Sequence, residues 1–554
     1  MDRKTLLAII LIVIIYVLSN EFIWKKKQPA VPPQNQTTTQ AVTPQKAAPS
    51  TTQQQTQQVP VHAVVMPDTV KTGIAVDNNI VLQNDSLKVV FSNEGGVIRE
   101  AYLLNFKDVD RKSPAQLIPE QGSIMGMNLT TGTGTLDLTK IVFAHEMFTD
   151  NGKPGVRFHW DRNGAVLIEK RFVLLPNNTL EMQVNDVNYG SLAGYQINMN
   201  SGIRDTEHDS KLNKPNKMKG QDFKFIGQID NSLQSVFLSR LKDRKTYQGK
   251  VNWDGIRSKY FLIALVPDKN VFAVNTAIYN SNMSPAFDMD IKTDAPRINF
   301  SDHYQLYLGP AKVRQLQKLN VGLENAAERG AKWLRWLYSI FNAFLSWLFK
   351  LIPNYGIVII IFSILLKIAL HPLTHKSMES GIKMQQIQPL IREAQTKYKT
   401  DPKRLQQELS AIYKENNVSP LGGCLPLLLQ MPIFIALYGV LRYSFDMRQA
   451  YFVGWLNDLS APDPIYVLPI LMGIFMFIQQ KMMQPKTAPG EEVDEKQAAM
   501  MQSQRMMTYV MPIMMFFIFK SMPAGLVLYW TVFNILSIIQ QYYLQKHFQK
   551  KVKK

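Results

Sequence analysis

Residues 356–370, Gly-Ile-Val-Ile-Ile-Ile-Phe-Ser-Ile-Leu-Leu-Lys-Ile-Ala-Leu, form an apolar run of membrane grade with one lysine, Lys367, inside it. An ammonium near the centre of a bilayer costs at least ~2.5–3.5 kcal/mol, so such residues usually face a protein interior or a wet cavity. Ser363 stands four residues earlier on the same helical face, which gives the helix a short polar stripe. Pro372 is expected to end the helix, leaving Lys367 about one and a half turns from that end. Position alone therefore leaves two readings open, a cation turned into the protein and a lysine that snorkels to the interface.

This run is the first of five apolar segments, at about 355–371, 424–443, 464–482, 508–521 and 525–544. Several are short for a ~30 Å hydrocarbon core, which asks for ~20 residues per helix, so local thinning of the bilayer is implied. Just upstream, residues 326–352 alternate Trp333, Trp336 and Phe341–Phe349 with Lys332, Arg335 and Lys350, the pattern of a helix lying in the membrane interface. An ordinary amphipathic packing helix is the other reading.

Loop charge sets the orientation. Residues 372–420 carry Lys376, Lys383, Arg392, Lys397, Lys399, Lys403, Arg404 and Lys414 against five acidic residues, and the tail adds Lys546, Lys550, Lys551, Lys553 and Lys554. Both belong on the cytoplasmic side. The 372–420 stretch reads as a helical hairpin, with Asp401 as N-cap and Pro402 at the first helical position. Its apolar residues recur at helical spacing before the turn (Met384, Ile387, Ile391) and after it (Leu405, Leu409, Ile412).

At the other end, Leu6–Leu18 is almost wholly apolar and no small-residue cleavage site follows, so residues 1–27 read as an uncleaved transmembrane anchor. Residues 28–61 are rich in Gln, Thr and Pro and read as a disordered tether. From 62 to 325 the pattern is that of strands. Leu87–Phe91 and Val97–Phe106 flank Asn-Glu-Gly-Gly, and Ala165–Leu175 and Leu180–Val187 flank Pro-Asn-Asn-Thr. Many strands without helical periods predict an exported β-sandwich. No metal-ligand spacing, nucleophile elbow or phosphate loop occurs in it, and His145, His159 and His208 read as surface or packing residues.

The whole is thus expected to be a polytopic α-helical membrane protein of six spans, with both termini cytoplasmic and the β-domain exported. The formal charge of +19 fits lysine and arginine retained on the cytoplasmic side better than nucleic-acid binding. A single cysteine, Cys424, excludes an intramolecular disulfide framework and any cysteine-cluster metal site. No cofactor and no small-molecule substrate is expected.

Three motifs carry a family resemblance. They are Pro420-Leu421-Gly422-Gly423-Cys424-Leu425-Pro426 leading into Gln430-Met431-Pro432-Ile433-Phe434, then Leu468-Pro469-Ile470-Leu471-Met472-Gly473, and Pro523-Ala524-Gly525-Leu526-Val527-Leu528-Tyr529. Their order and spacing resemble the YidC membrane-protein insertases, the bacterial relatives of the mitochondrial Oxa and chloroplast Alb proteins. The anchor, tether and β-domain match the Gram-negative form, with an insertase core over 353–554.

That resemblance implies an inner-membrane insertase and chaperone for nascent membrane proteins, working alone or with the Sec translocon. The ribosome would meet the basic loop, Lys397, Lys399, Lys403 and Arg404, together with the tail. The family's hydrophilic groove, open to cytoplasm and lipid, would here be formed by Lys367, Ser363, Gln430, Tyr529 and Trp530. Lysine stands where the family normally has arginine, and Trp530 where a second tyrosine is common. Met472, Met476, Met511, Met514 and Met515 are the candidate hydrophobic slide, since methionine adapts to varied partners; core filling is the plainer reading of any one of them. The β-domain, without chemistry and behind a polar tether, is expected to couple loosely to the core. Two other classes remain: a secondary transporter with an intramembrane lysine, though no paired inverted repeat is visible, and a membrane-anchored carbohydrate-active enzyme.

Overall fold

The structure, a computed structural model, describes residues 74–552 except 163, 208–221, 272, 282–283, 328–331, 419–424 and 484–507. The anchor, the tether, His208 and the Gly-Gly-Cys run at 422–424 lie outside the described residues. The described residues fall within a single compact unit.

Strands between Ile80 and Pro310 form three sheets, of four, nine and six strands, and every pairing given for them is antiparallel. Alternation drives them. Along Thr179–Asp186, Leu180, Met182 and Val184 are buried while Glu181 and Gln183 turn outward. This strand pairs with Ala165–Leu175 from Leu175↔Thr179 onward, as the sequence predicts. The turn is closed by Asn177 and Asn178 at φ 63° and 62°, a region asparagine tolerates better than most residues. Leu87–Ser92 likewise pairs with Val97–Lys107 around left-handed Gly95 and Gly96.

The expected sandwich is present with an extra layer. Phe225 of the nine-stranded sheet packs on Phe287 of the six-stranded sheet at 5.8 Å. Phe91 of the small sheet meets Phe158 and Phe172 at 5.7 and 5.0 Å, and all three sheets feed one core. On the outer side of Val251–Arg257 and Phe261–Pro267, Trp253, Leu262 and Ala264 pack with Leu316, Leu323 and Ala326 of the link to the helices. The covered outer face explains why Phe261–Pro267 is buried along its whole length.

The helical region comprises α1 (Arg335–Leu351), α2 (Tyr355–Ala369), α3 (His371–Gln386), α4 (Gln388–Lys397), α5 (Pro402–Glu415), α6 (Leu425–Tyr443), α7 (Val467–Met483), α8 (Thr508–Phe519) and α9 (Ala524–Val552). Among the described residues only α9 is by itself long and apolar enough to cross a membrane; α2 and α3 pass together but are bent by 67°. The 17 residues of α7 span ~26 Å, short of ~30 Å of hydrocarbon. On α1, Phe341, Leu345 and Leu348 face the helical core while Trp336, Ile340 and Trp347 point outward, as does Trp333 in the turn before it.

Two expectations change. Pro372 does not terminate α2 but sits in the first turn of α3, where its missing N–H costs nothing, and the break falls at Leu370. The hairpin is therefore the second part of a longer arm: α4 and α5 close on Ile387, Ile391, Ala394, Ile412 and Val418, and Asp401 caps α5 by accepting the Arg404 amide at 3.1 Å. Loose coupling of the β-domain is also overturned, because buried ion pairs and an aromatic box join it to the end of α6 and the segment after it. These pairs join residues more than 200 positions apart, beyond the reach of local sequence patterns.

Candidate functional site

Asn354 starts α2 by accepting the amides of Gly356 and Ile357, and the helix then runs apolar to its last turn, where Lys367 sits. The Lys367 side chain is 7% exposed. Its Nζ donates to Ser537 Oγ at 2.7 Å and lies 4.4 Å from the centre of the Phe533 ring, both on α9. Among the described residues no carboxylate pairs with it. An ammonium has three donors, so two remain for water or an incoming acceptor.

Around it runs a polar seam between α2, the start of α3, and α9. Asn534, Ser537 and Gln541 recur at i, i+3 and i+7 on one face of α9, all buried. Asn534 Nδ2 and Gln541 Oε1 have no hydrogen-bond partner among the described residues. Gln540 reaches Thr374 Oγ1 at 3.4 Å and His371 Nδ1 at 3.2 Å. Ser363 is fully buried, and its hydroxyl turns back to the Ile359 carbonyl at 2.6 Å. At the other end the buried Tyr529 hydroxyl lies within reach of the half-buried Gln430 side chain without a hydrogen bond of good geometry. Buried polar atoms left unpartnered in this way mark positions for water or a polar guest.

Of the residues singled out from sequence, Lys367, Ser363, Tyr529 and Gln430 thus line or flank one seam. Trp530 instead joins an aromatic group with Phe434 and Phe519, at 5.3 and 5.5 Å. The methionines are not all at the surface: Met472 is fully buried in the helical core, Met514 points outward, and Met476, Met511 and Met515 are half-buried. Lys397, Lys399, Lys403 and Arg404 are exposed around the α4–α5 turn, with Arg404 3.6 Å from Asp401. Sequence reading missed Asn534, Ser537 and Gln541, although their spacing on an apolar helix was a legible stripe.

Two family models match the chain: "YidC periplasmic domain" over residues 79–344 and "60Kd inner membrane protein" over residues 347–551. The membrane protein insertase YidC of Chlorobaculum tepidum is 30% identical over 520 residues, covering 86% of this chain and 83% of the relative. The chain belongs to the YidC membrane protein insertase family. The YidC insertase of Syntrophus aciditrophicus is 30% identical over 490 residues, covering 86% of each chain. Among solved structures, an active YidC insertase with its first transmembrane domain resolved is similar at 19% identity and a TM-score of 0.36, covering 85% of this chain and 93% of that one. As in the YidC family generally, the chain joins a β-rich periplasmic domain to a helical C-terminal region of an inner-membrane protein, and insertases of this kind are not enzymes.

Proposed function

We propose that this protein inserts nascent integral membrane proteins into the inner membrane through the seam between α2 and α9, with Lys367 as its cation. The carrying observation is the buried Lys367 ammonium, held by one neutral hydroxyl and a ring face among unpartnered polar groups. A client's polar or acidic exported segment must cross hydrocarbon. A hydrated seam with one positive charge reaching into the membrane shortens that crossing and attracts carboxylates. The client's apolar segment then leaves sideways along Met476, Met511, Met514 and Met515, with Gln430, Tyr529 and Trp530 walling the path.

The chain spans the membrane six times in this reading, with its short helices accommodated by a thinned bilayer. Both termini and the α3–α5 arm are cytoplasmic, where Lys397, Lys399, Lys403 and Arg404 meet the ribosome and the Sec translocon shares some clients. Lysine and arginine asymmetry supports the orientation. Site-specific crosslinking tests the groove: photoreactive residues at Lys367, Gln430 and Trp530 should each capture a stalled nascent membrane protein, and crosslinks confined to the outer face of α1 would refute it.

A further inference from the structure

The segment between α6 and α7, residues 444–466, touches the ends of four helices. Phe452 accepts the Asn354 side-chain amide at 3.2 Å, and its ring occupies the space above Gly356, where a Cβ would lie 1.9 Å from it. Leu459 and Ala461 carbonyls accept the Gly525 and Ala524 amides at 2.9 and 2.7 Å, closing the start of α9. Asp463 accepts the Leu468 amide at 2.8 Å at the start of α7. Met447, Leu456 and Leu459 are buried in the same cluster as Phe362 and Tyr529. This segment therefore stops one end of the helical bundle.

Its other side, together with the last turn of α6, is held by the β-domain. Arg442 and Asp222 pair at 2.7 Å with side chains 5% and 4% exposed. Arg448 and Glu207 pair at 2.7 Å, again buried. Lys259 Nζ donates to the Ser460 carbonyl at 3.0 Å and Tyr260 to the Arg442 carbonyl at 3.1 Å. Phe445 sits among Phe106, Phe261 and Tyr260 at 4.9, 5.6 and 5.7 Å, under Lys312. Burial pushes the Glu207 carboxyl up and the Lys259 ammonium down, so these charges are tolerated only while their partners are in place.

We infer that the β-domain is a clamp: Asp222, Glu207 and Lys259 hold the last turn of α6 and residues 444–466 as a plug across the exported ends of α2, α6, α7 and α9. These are positioning residues, acting on the seam through the plug. The inference rests on the proposed groove for its purpose, but its test needs no client. In full-length protein with Cys424→Ser, single cysteines at Ser460 and Ser363 report on the joint and the seam, through reaction with an impermeant maleimide added from the β-domain side.

Asp222→Asn and Glu207→Gln, which strand Arg442 and Arg448, should raise labelling at both positions about tenfold or more. The double variant Asp222→Asn/Arg442→Gln, which leaves no charge unpaired, should label less than Asp222→Asn; it carries the test if the single variant does not accumulate. Unchanged labelling at both positions in stably embedded variants would overturn the clamp. So would exposure of Ser460→Cys with Ser363→Cys still silent, since the joint would then have no hold on the seam. A groove that fails to crosslink clients would leave these labelling results intact, so the two readings fail separately.

Discussion

Replacing Lys367 with methionine should separate stability from function. The structure gives the ammonium one hydrogen bond to Ser537, at 2.7 Å, and the face of Phe533 at 4.4 Å. A charge in hydrocarbon costs ~2.5–3.5 kcal/mol, while a hydrogen bond to a charged group returns ~1.5–3 and a desolvated cation–π contact ~2. The two contacts together match or exceed that cost, so methionine, of similar length, should leave the thermal midpoint unchanged or slightly lower. Client insertion should respond differently. At an effective dielectric of about 20, a carboxylate ~8 Å away gains ~2 kcal/mol from the cation, worth roughly thirtyfold. Matched clients with acidic and neutral exported tails, followed by protease protection at equal expression, should therefore diverge. The acidic tail should lose roughly thirtyfold in the Met or Ala variant, fall further in Glu through like-charge repulsion, and recover in Arg, while the neutral tail changes little. Equal insertion of both tails by wild type, Ala and Glu would refute the groove. A Met variant that no longer folds would make Lys367 a structural lysine.

In a Cys424→Ser background, cysteine at Lys399 should label only after the inner membrane is permeabilised and cysteine at Asn151 from outside; labelling of Lys399→Cys in intact spheroplasts would reverse the topology. Asp254 is fully buried against Thr276, and burial raises its carboxyl from 3.8 to about 7. The folded chain thus keeps this proton to higher pH than the unfolded chain does, so wild-type stability should fall relative to Asp254→Asn between those two values and stay level above them, with thermal midpoints converging at the acid end. Gly356→Leu drives a Cβ to 1.9 Å from the Phe452 ring and should destabilise the helical region by about 1–3 kcal/mol, read as a lowered midpoint in detergent.

Elements carried by local periodicity were legible in the sequence, and elements carried by distant pairing were not. The Ala165–Leu175/Thr179–Asp186 hairpin could be read because strand alternation and an Asn-Asn turn lie within a few residues. Asp401 as a cap could be read for the same reason. Lys367 stood out because an apolar helix makes one charge conspicuous, whereas Ser537, its partner, is 170 residues away and looks ordinary alone. The β-domain joint was the least legible: Asp222, Glu207 and Lys259 are common surface residues by type, and only tertiary contact reveals that they are buried against Arg442, Arg448 and Ser460. Met472 shows the converse error, a residue type suited to an adaptable surface that here fills a core position.

The two readings that position left open for Lys367 differ in where the charge ends up, and helix geometry bears on that. Lys367 lies in the last turn of α2, a place that favours snorkelling. Helical side chains, however, lean toward the N-terminus of their own helix, so a long lysine there reaches back into the bundle. Its contacts agree: Phe533 and Ser537 lie nine and thirteen residues into α9 from Ala524, ~14–20 Å at the ordinary helical rise. The start of α9 is tied to the Leu459 and Ala461 carbonyls of the plug. The ammonium is therefore held well along α9 from the plug although its Cα belongs to the end of a helix. A snorkelling lysine would be exposed and pointed toward Leu370; this one is buried and pointed toward the seam.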